Sequence, residues 1–191
     1  MNRYYAKGEK AFDIYYIFAY PFYLLLKILP RFLSLFMWEI FRNTPGYPGI
    51  GIRYILLKRL AKRCGKNVAV FPSVFFNVSR KTVIGNHISI REHSFIDGDN
   101  LEIGDNVMIA HASTIVTGSH IYDPQIPMRD TLEDRVVTIG DNVWIGAGAK
   151  IIGSVDIGDS VIIGANAVVV KSIPSYSVAV GVPAKVIKKL K

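Results

Sequence analysis

Residues 139–151 read Ile139-Gly140-Asp141-Asn142-Val143-Trp144-Ile145-Gly146-Ala147-Gly148-Ala149-Lys150-Ile151, and this stretch decides the fold. An aliphatic residue stands at 139, 145 and 151. Glycine follows the first two, and Val143 and Ala149 stand four places after them. A period of six fits neither the 3.6-residue repeat of a helix nor the alternation of one long strand. It fits a chain of short strands that turns a corner every six residues, so that each sixth side chain points to the axis of a solenoid. Three hexads then close one triangular coil of roughly 18 residues, and glycine relieves crowding at the turns.

Working outward, the same spacing recurs on both sides. Ile84, Ile90 and Ile96 are six apart, and Ile103, Ile109 and Ile115 repeat the pattern after a one-residue insertion. Ile157, Ile163 and Val169 continue from Ile151 without a slip, while Val70 and Phe76 mark a ragged first coil. The pattern lapses over 121–138 and resumes in register at Ile139. A long irregular loop leaving a rigid solenoid is where function concentrates.

The chain divides at residue 63. Residues 1–63 hold 11 Lys/Arg against 3 Asp/Glu, and residues 64–191 hold 12 of each, so the whole excess of +8 lies in the first third. That third is also aromatic and apolar, which points to a membrane surface rather than to nucleic acid. The run Ile14–Leu26 contains Pro21 and has 13 residues, against about 20 for a bilayer span. Lys27, Pro30 and Arg31 separate it from a second run, Phe32–Trp38. Two short, broken runs predict interfacial or re-entrant helices, with packing on the body or on sister subunits as the alternative. Residues 43–51 predict a turn-rich linker, and 52–63 a basic amphipathic helix. That helix could lie on anionic lipid, cap the solenoid, or do both. No cleavable signal peptide is evident, and the single cysteine, Cys64, fits a reducing compartment. The expectation is a cytoplasmic protein held peripherally on the inner face of the cell membrane.

Three motifs carry a resemblance. Thr117-Gly118-Ser119-His120 precedes the loop and the Ile139–Gly146 stretch. Gly164-Ala165-Asn166-Ala167-Val168-Val169-Val170-Lys171 is followed by Pro174. The tail reads Gly181-Val182-Pro183-Ala184-Lys185-Val186-Ile187-Lys188-Lys189. Together they resemble the hexapeptide-repeat acetyltransferases over 64–191, nearest the branch with polysaccharide, lipopolysaccharide, colanic-acid, maltose and galactoside O-acetyltransferases. The resemblance implies a mainly β protein. A left-handed parallel β-helix would occupy 64–191, with an excursion loop at 121–138, and an α-helical region 1–63 would precede it. It also implies a homotrimer that takes acetyl-CoA as acyl donor and needs no metal.

The same resemblance implies roles. His120 is the general base. A protonated alcohol is a poor nucleophile, and a neutral imidazole accepts its proton near pH 7 before the oxygen attacks the thioester directly. Trp144 lines the acyl-CoA site, Ala147 and Ala165 hold the pantetheine arm through their backbone, and Lys171 and Lys188 stand near the nucleotide phosphates. Asp97 matches an acceptor-binding carboxylate. Arg91-Glu92-His93 replaces asparagines that meet the acceptor in the maltose type, which makes Glu92 a second acceptor-binding candidate. That departure, with the long helical region, favours a different and lipid-linked glycan. His87, His93 and His111 do not reproduce the histidine spacing of zinc-binding β-helices. Two alternatives remain open at this point: an N-acyltransferase acting on an amino sugar or nucleotide sugar, and a non-catalytic or metal-binding β-helix.

Overall fold

The computed structural model describes residues 20–120 and 122–191. Among the described residues three helices precede a parallel β-solenoid of short strands. The twelve hexad positions from Ile84 to Val169 all point inward, and none is more than 1 % exposed. Their stacking follows the strand register. Ile84, Ile103, Ile139 and Ile157 line up on one face of the prism. On the second face the column is Val70, Ile90, Ile109, Ile145, Ile163 and Ala179. On the third it is Phe76, Ile96, Ile115, Ile151 and Val169.

The first face is built from β1 (Arg63–Cys64), β4 (Val83–Ile84), β7 (Leu101–Ile103), β12 (Val137–Ile139) and β15 (Val155–Ile157). The second runs through β2 (Val68–Val70), β5 (Ile88–Ile90), β8 (Met108–Ile109), β13 (Trp144–Ile145), β16 (Val161–Ile163) and β18 (Ser177–Val180). The antiparallel strand β19 (Lys185–Lys189) closes it. The third holds β3 (Phe75–Asn77), β6 (Phe95–Asp97), β9 (Thr114–Val116), β14 (Lys150–Ile152) and β17 (Val168–Val169).

The corner between the first and second faces is tied by a polar ladder. Each side chain accepts a hydrogen bond from a backbone N–H one coil earlier. Asn86 accepts from Lys66, Asp105 from Asn86, Asp141 from Asp105 and Asp159 from Asp141, at 2.7–2.9 Å. The hydrogen bonds to Asn86 hold the Asp105 carboxyl below the ordinary carboxylate range. The residue before each acceptor is glycine (Gly85, Gly104, Gly140, Gly158), because the next coil's acceptor and backbone lie against it. Asn67, His87, Asn106, Asn142 and Ser160 then take left-handed backbone angles to finish the turn. His87 is therefore a corner residue, with Nδ1 3.1 Å from Asn67 Nδ2. His93 is another, at the corner between the second and third faces. Among the described residues no group of three or more His, Cys, Asp or Glu is placed to hold a metal ion.

The one-residue insertion falls at Asn100, whose φ of 54° absorbs it. The excursion departs from the stretch 121–138. Gly118–His120 (β10) already leaves the coil as a ribbon paired with Leu132–Asp134 (β11), and Val137–Ile139 has rejoined the first face beside Leu101–Ile103. Val137 is buried like Ile139. The irregular residues around it hide this in the sequence.

The helical layer corrects the sequence reading further. Residues 20–28 (α1) are helical, followed by α2 (Arg31–Phe41) and α3 (Gly46–Leu60). The expected linker over 43–51 is thus mostly helix. Pro45 at the N-cap and Pro48 in the first turn lack donors that the helix start does not need. Gly49 is required because a Cβ there would strike the Thr44 carbonyl. Packing overrides the low helix propensity of Gly49 and Gly51. Tyr54, Ile55, Leu56, Leu57 and Leu60 are buried, and α3 plugs the open end of the solenoid against β1 and β2.

Three arginines cap the three helix C-termini, where carbonyls lack intrahelical donors. Arg59 donates to Leu26 O and Leu29 O at the end of α1. Arg53 donates to Phe41 O, Arg42 O and Thr44 O at the end of α2, and to Val70 O of the first coil. Arg31 donates to Leu60 O at the end of α3 and to Val78 O. Arg53 is fully buried, so it cannot belong to a lipid-facing basic surface. The Cys64 thiol faces the interior, and burial pushes its pKa up to about 12, which leaves it unreactive.

A Cβ at Gly104 would stand 2.8 Å from the carbonyl carbon of Gly140 and against the Asp141 carboxylate. Gly104→Val therefore overpacks a rigid corner, at a cost of about 1–3 kcal/mol or more. Ile115→Val, which only trims the interior, costs about 0.5–1.5 kcal/mol. Thermal unfolding followed by circular dichroism should rank Gly104→Val as the less stable variant.

Candidate active site

The third face ends in a polar trio that the hexad pattern does not reveal. Asp97, at the end of β6, accepts from Asn77 Nδ2 at 3.3 Å on Oδ1 and from Thr117 Oγ1 at 3.2 Å on Oδ2. Asn77 is its register partner one coil before. Thr117 follows β9 one coil after, is buried, and is the last residue before the ribbon. Arg135 N donates to Thr117 O at 3.1 Å and closes the ribbon's root. His120 is three residues further, opposite Leu132, and exposed. The fold thus sets a half-buried carboxylate at the base of the stalk that carries the imidazole. A carboxylate fixed by two donors keeps further lone pairs for hydroxyl groups.

Beside Asp97 on the same face, Phe75 and Phe95 stack with ring centroids 5.0 Å apart and planes 3° from parallel. The Arg42 guanidinium lies 5.6 Å from the Phe75 ring centre. Phe75, Asn77 and Thr117 are absent from the sequence-based candidates. Counting back one coil of 20 residues from Phe95 and Asp97 would have found the first two.

Glu92 is separated from Asp97. It lies where the second face turns into the third, at the opposite end of β6, and pairs with Arg91 Nε at 3.0 Å. Arg91 in turn stacks on Phe71, 3.9 Å from the ring centre. The length of β6 keeps the two carboxylates on different edges of the prism.

The donor-side candidates fall mostly on the second face. Trp144 stands half-exposed on β13 between Met108 and Ile162. Its outward row continues through Val178 to Lys188. Ala147 and Ala165 stack at the exit of that face, where the Asn166 N–H donates to Ala147 O at 2.8 Å. A Cβ on Gly146 would stand 2.7 Å from Ala165 N, so the coils approach closely here and leave a narrow, small-residue ridge. Lys171 is apart from this group. It follows β17 on the corner from which the ribbon leaves, one coil beyond Gly153. Within one chain, therefore, His120 and Asp97 share an edge with Lys171, whereas Trp144, Ala147, Ala165 and Lys188 lie one face away.

Residues 137–171 match the family model "Bacterial transferase hexapeptide (six repeats)". The galactoside O-acetyltransferase of Escherichia coli K12 is 34 % identical over 139 residues, 72 % of this chain and 68 % of that protein. A maltose O-acetyltransferase of Clostridium difficile 630 superposes with a TM-score of 0.73 at 35 % identity, over 84 % of this chain and 86 % of the other. A hexapeptide-repeat acetyltransferase of Vibrio cholerae O1 biovar eltor, solved with acetyl-coenzyme A, gives 0.74 at 26 % identity, over 84 % and 87 %. The chain belongs to the hexapeptide-repeat acetyltransferases, and it is an acetyl-CoA-dependent acyltransferase.

If Asp97 meets the acceptor, its removal weakens acceptor binding and leaves the donor alone. A hydrogen bond to a charged group is worth about 1.5–3 kcal/mol, so Asp97→Ala should raise the acceptor KM roughly tenfold to a hundredfold. The KM for acetyl-CoA should stay within about twofold, as expected for sites that share no partners. Initial rates with each substrate varied in turn check both halves.

Proposed function

We propose that the chain transfers acetyl from acetyl-CoA to a hydroxyl group of a sugar or lipid-linked polysaccharide, with His120 as general base. The observation that supports this best is the Asn77–Asp97–Thr117 arrangement at the root of the stalk bearing His120. Asp97 would orient one acceptor hydroxyl while a neighbouring hydroxyl meets the imidazole. The imidazole takes the hydroxyl proton, the oxygen attacks the thioester carbonyl carbon, and the tetrahedral intermediate expels the sulfur of coenzyme A. The imidazolium returns its proton to the departing thiolate. Every atom is accounted for, and no covalent acyl-enzyme is formed.

The relatives named for galactoside and maltose O-acetylation support a hydroxyl acceptor. In this reading the donor lies along the ridge of Trp144, Ala147 and Ala165, with Lys171 and Lys188 meeting its phosphates. All of these but Lys171 stand one face away from His120 in the same chain. We therefore also propose a homotrimer in which one chain's ribbon reaches the donor ridge of its neighbour. Cyclic oligomers are built by such head-to-tail contacts.

The test is thiol release from acetyl-CoA with a panel of glycans and amino sugars. Transfer to a hydroxyl acceptor is expected, and His120→Ala should lower it by about two to four orders of magnitude, the usual range for loss of a general base. Acetyl-CoA binding should persist in the variant. Near-normal turnover would remove His120 from the mechanism, and transfer confined to amino sugars would favour N-acylation.

A further inference from the structure

Among the described residues, the outer side of α1 and α2 is apolar and exposed. Ser34 and Trp38 turn α2 inward, and Leu26 does the same for α1. The opposite side presents Leu24, Leu25, Ile28, Phe32, Phe36 and Ile40. Ile28 is 82 % exposed, Phe32 66 %, Phe36 64 % and Ile40 56 %. On α2, Phe32, Phe36 and Ile40 follow at intervals of four, so they form one stripe along the helix. An apolar patch of this extent on a water-soluble surface marks a contact with another phase or another molecule. No described helix is long and apolar enough to cross a membrane.

What this surface would meet is indicated by the charge at its edge. Arg59 reaches Leu26 O and Leu29 O, and Arg31 begins α2. Ile28 and Phe32, the two most exposed residues of the stripe, stand in sequence on either side of the α1–α2 junction that Arg59 meets and Arg31 begins. Arg80 is close enough to Arg31 that the like charges, after burial, help hold its pKa below the ordinary arginine value. Next to them, Lys62, Arg80 and Lys81 line a hollow of about 260 Å³ with Asn100, Glu102 and Val136. Lys81 meets Asp99 at 3.7 Å, both well exposed. Three cations stand here with the two carboxylates Glu102 and Asp99, and Arg80 links the cluster to Arg31 at the start of the stripe-bearing α2. Tyr20 and Tyr23 lie further along α1, with the Lys27 ammonium 5.0 Å from the Tyr23 ring centre. Tyrosine and lysine favour the headgroup layer.

We propose that the α1–α2 face docks on an anionic phospholipid surface, with the stripe from Leu24 to Ile40 inserted shallowly and the Lys62–Arg80–Lys81 cluster meeting the headgroup phosphates. The docking stands independently of the acyl acceptor. It differs from a lipid-facing α3, because Arg53 and Arg59 of that helix are engaged with helix termini. Apolar insertion and basic attraction act together in such surface helices, and three copies in one assembly would add by avidity.

The full-length protein is sedimented with vesicles of phosphatidylcholine, alone or mixed equally with phosphatidylglycerol. It should bind the anionic vesicles about tenfold more than the neutral ones and lose most of that preference at high salt. Ile28→Glu with Phe32→Glu, and separately Phe36→Ser with Ile40→Ser, should each cut binding roughly tenfold at unchanged melting temperature and unchanged mass by light scattering. Lys62→Glu with Arg80→Glu should abolish the anionic preference. Wild-type protein that stays in the supernatant at low salt overturns the proposal, as do stripe variants that bind as well as the wild type. A stripe variant that shifts the oligomeric mass instead assigns this face to a sister copy and overturns it too.

Discussion

The solenoid depends on one repeated contact, the hydrogen bond from a backbone N–H to the Asp or Asn side chain of the next coil. Lys66, Asn86, Asp105 and Asp141 each donate in turn along one corner. The aliphatic columns supply the larger share of burial, but burial is non-directional and does not select a register. The ladder does, since each acceptor must sit directly over a glycine and under the next N–H. A slip of one residue would put a Cβ where Gly85 or Gly140 stands and a polar side chain on the axis. The candidate site inherits this precision. Asn77, Asp97 and Thr117 meet only because three successive coils are in register.

The helical layer obeys a second constraint, the need to satisfy helix-end carbonyls away from water. Arg31, Arg53 and Arg59 answer it with charged donors, and Arg53 also ties α2 to the first coil through Val70 O. This employment of arginine changes the meaning of the charge excess. Part of the +8 found in residues 1–63 is structural, and Lys62 from the same segment lines a hollow with Arg80 and Lys81 of the first coils. The apolar side chains of α1 and α2 meanwhile divide into an inner set that packs and an outer set that does not.

Much of the fold is legible in the sequence because a six-residue period has one geometric reading. Ile139, Ile145 and Ile151 predict three faces, and the structure places one on each. The tightness of the corners is legible in Gly140 and Gly146. What is not legible depends on contacts between residues far apart in the chain. The helix from Gly46 contains Pro48, Gly49 and Gly51, and only the close approach of Thr44 and the reach of Arg53 explain it. The ribbon's start at Gly118 is hidden because leaving a coil needs no special residue. Of the candidate site, His120 and Asp97 are legible through the resemblance of their motifs to the family. Asn77, Phe75 and Phe95 require the 20-residue length of an early coil, which the 18-residue repeat obscures. Glu92 is displaced from Asp97 because β6 lies between them.

The same geometry leaves a single chain with the proposed base on one edge and most of the proposed donor ridge one face away. The proposed site is therefore one shared between neighbouring chains, each lending its ribbon to the next. The most direct measurement is complementation between two inactive variants, His120→Ala and Trp144→Ala, unfolded together, refolded together and assayed for acyl transfer. A shared site predicts that activity returns to roughly a quarter of the wild-type value, since random mixing in a cyclic assembly rebuilds that fraction of junctions. Activity no greater than the sum of the two variants alone would mean that each chain holds its whole site, and would contradict the account.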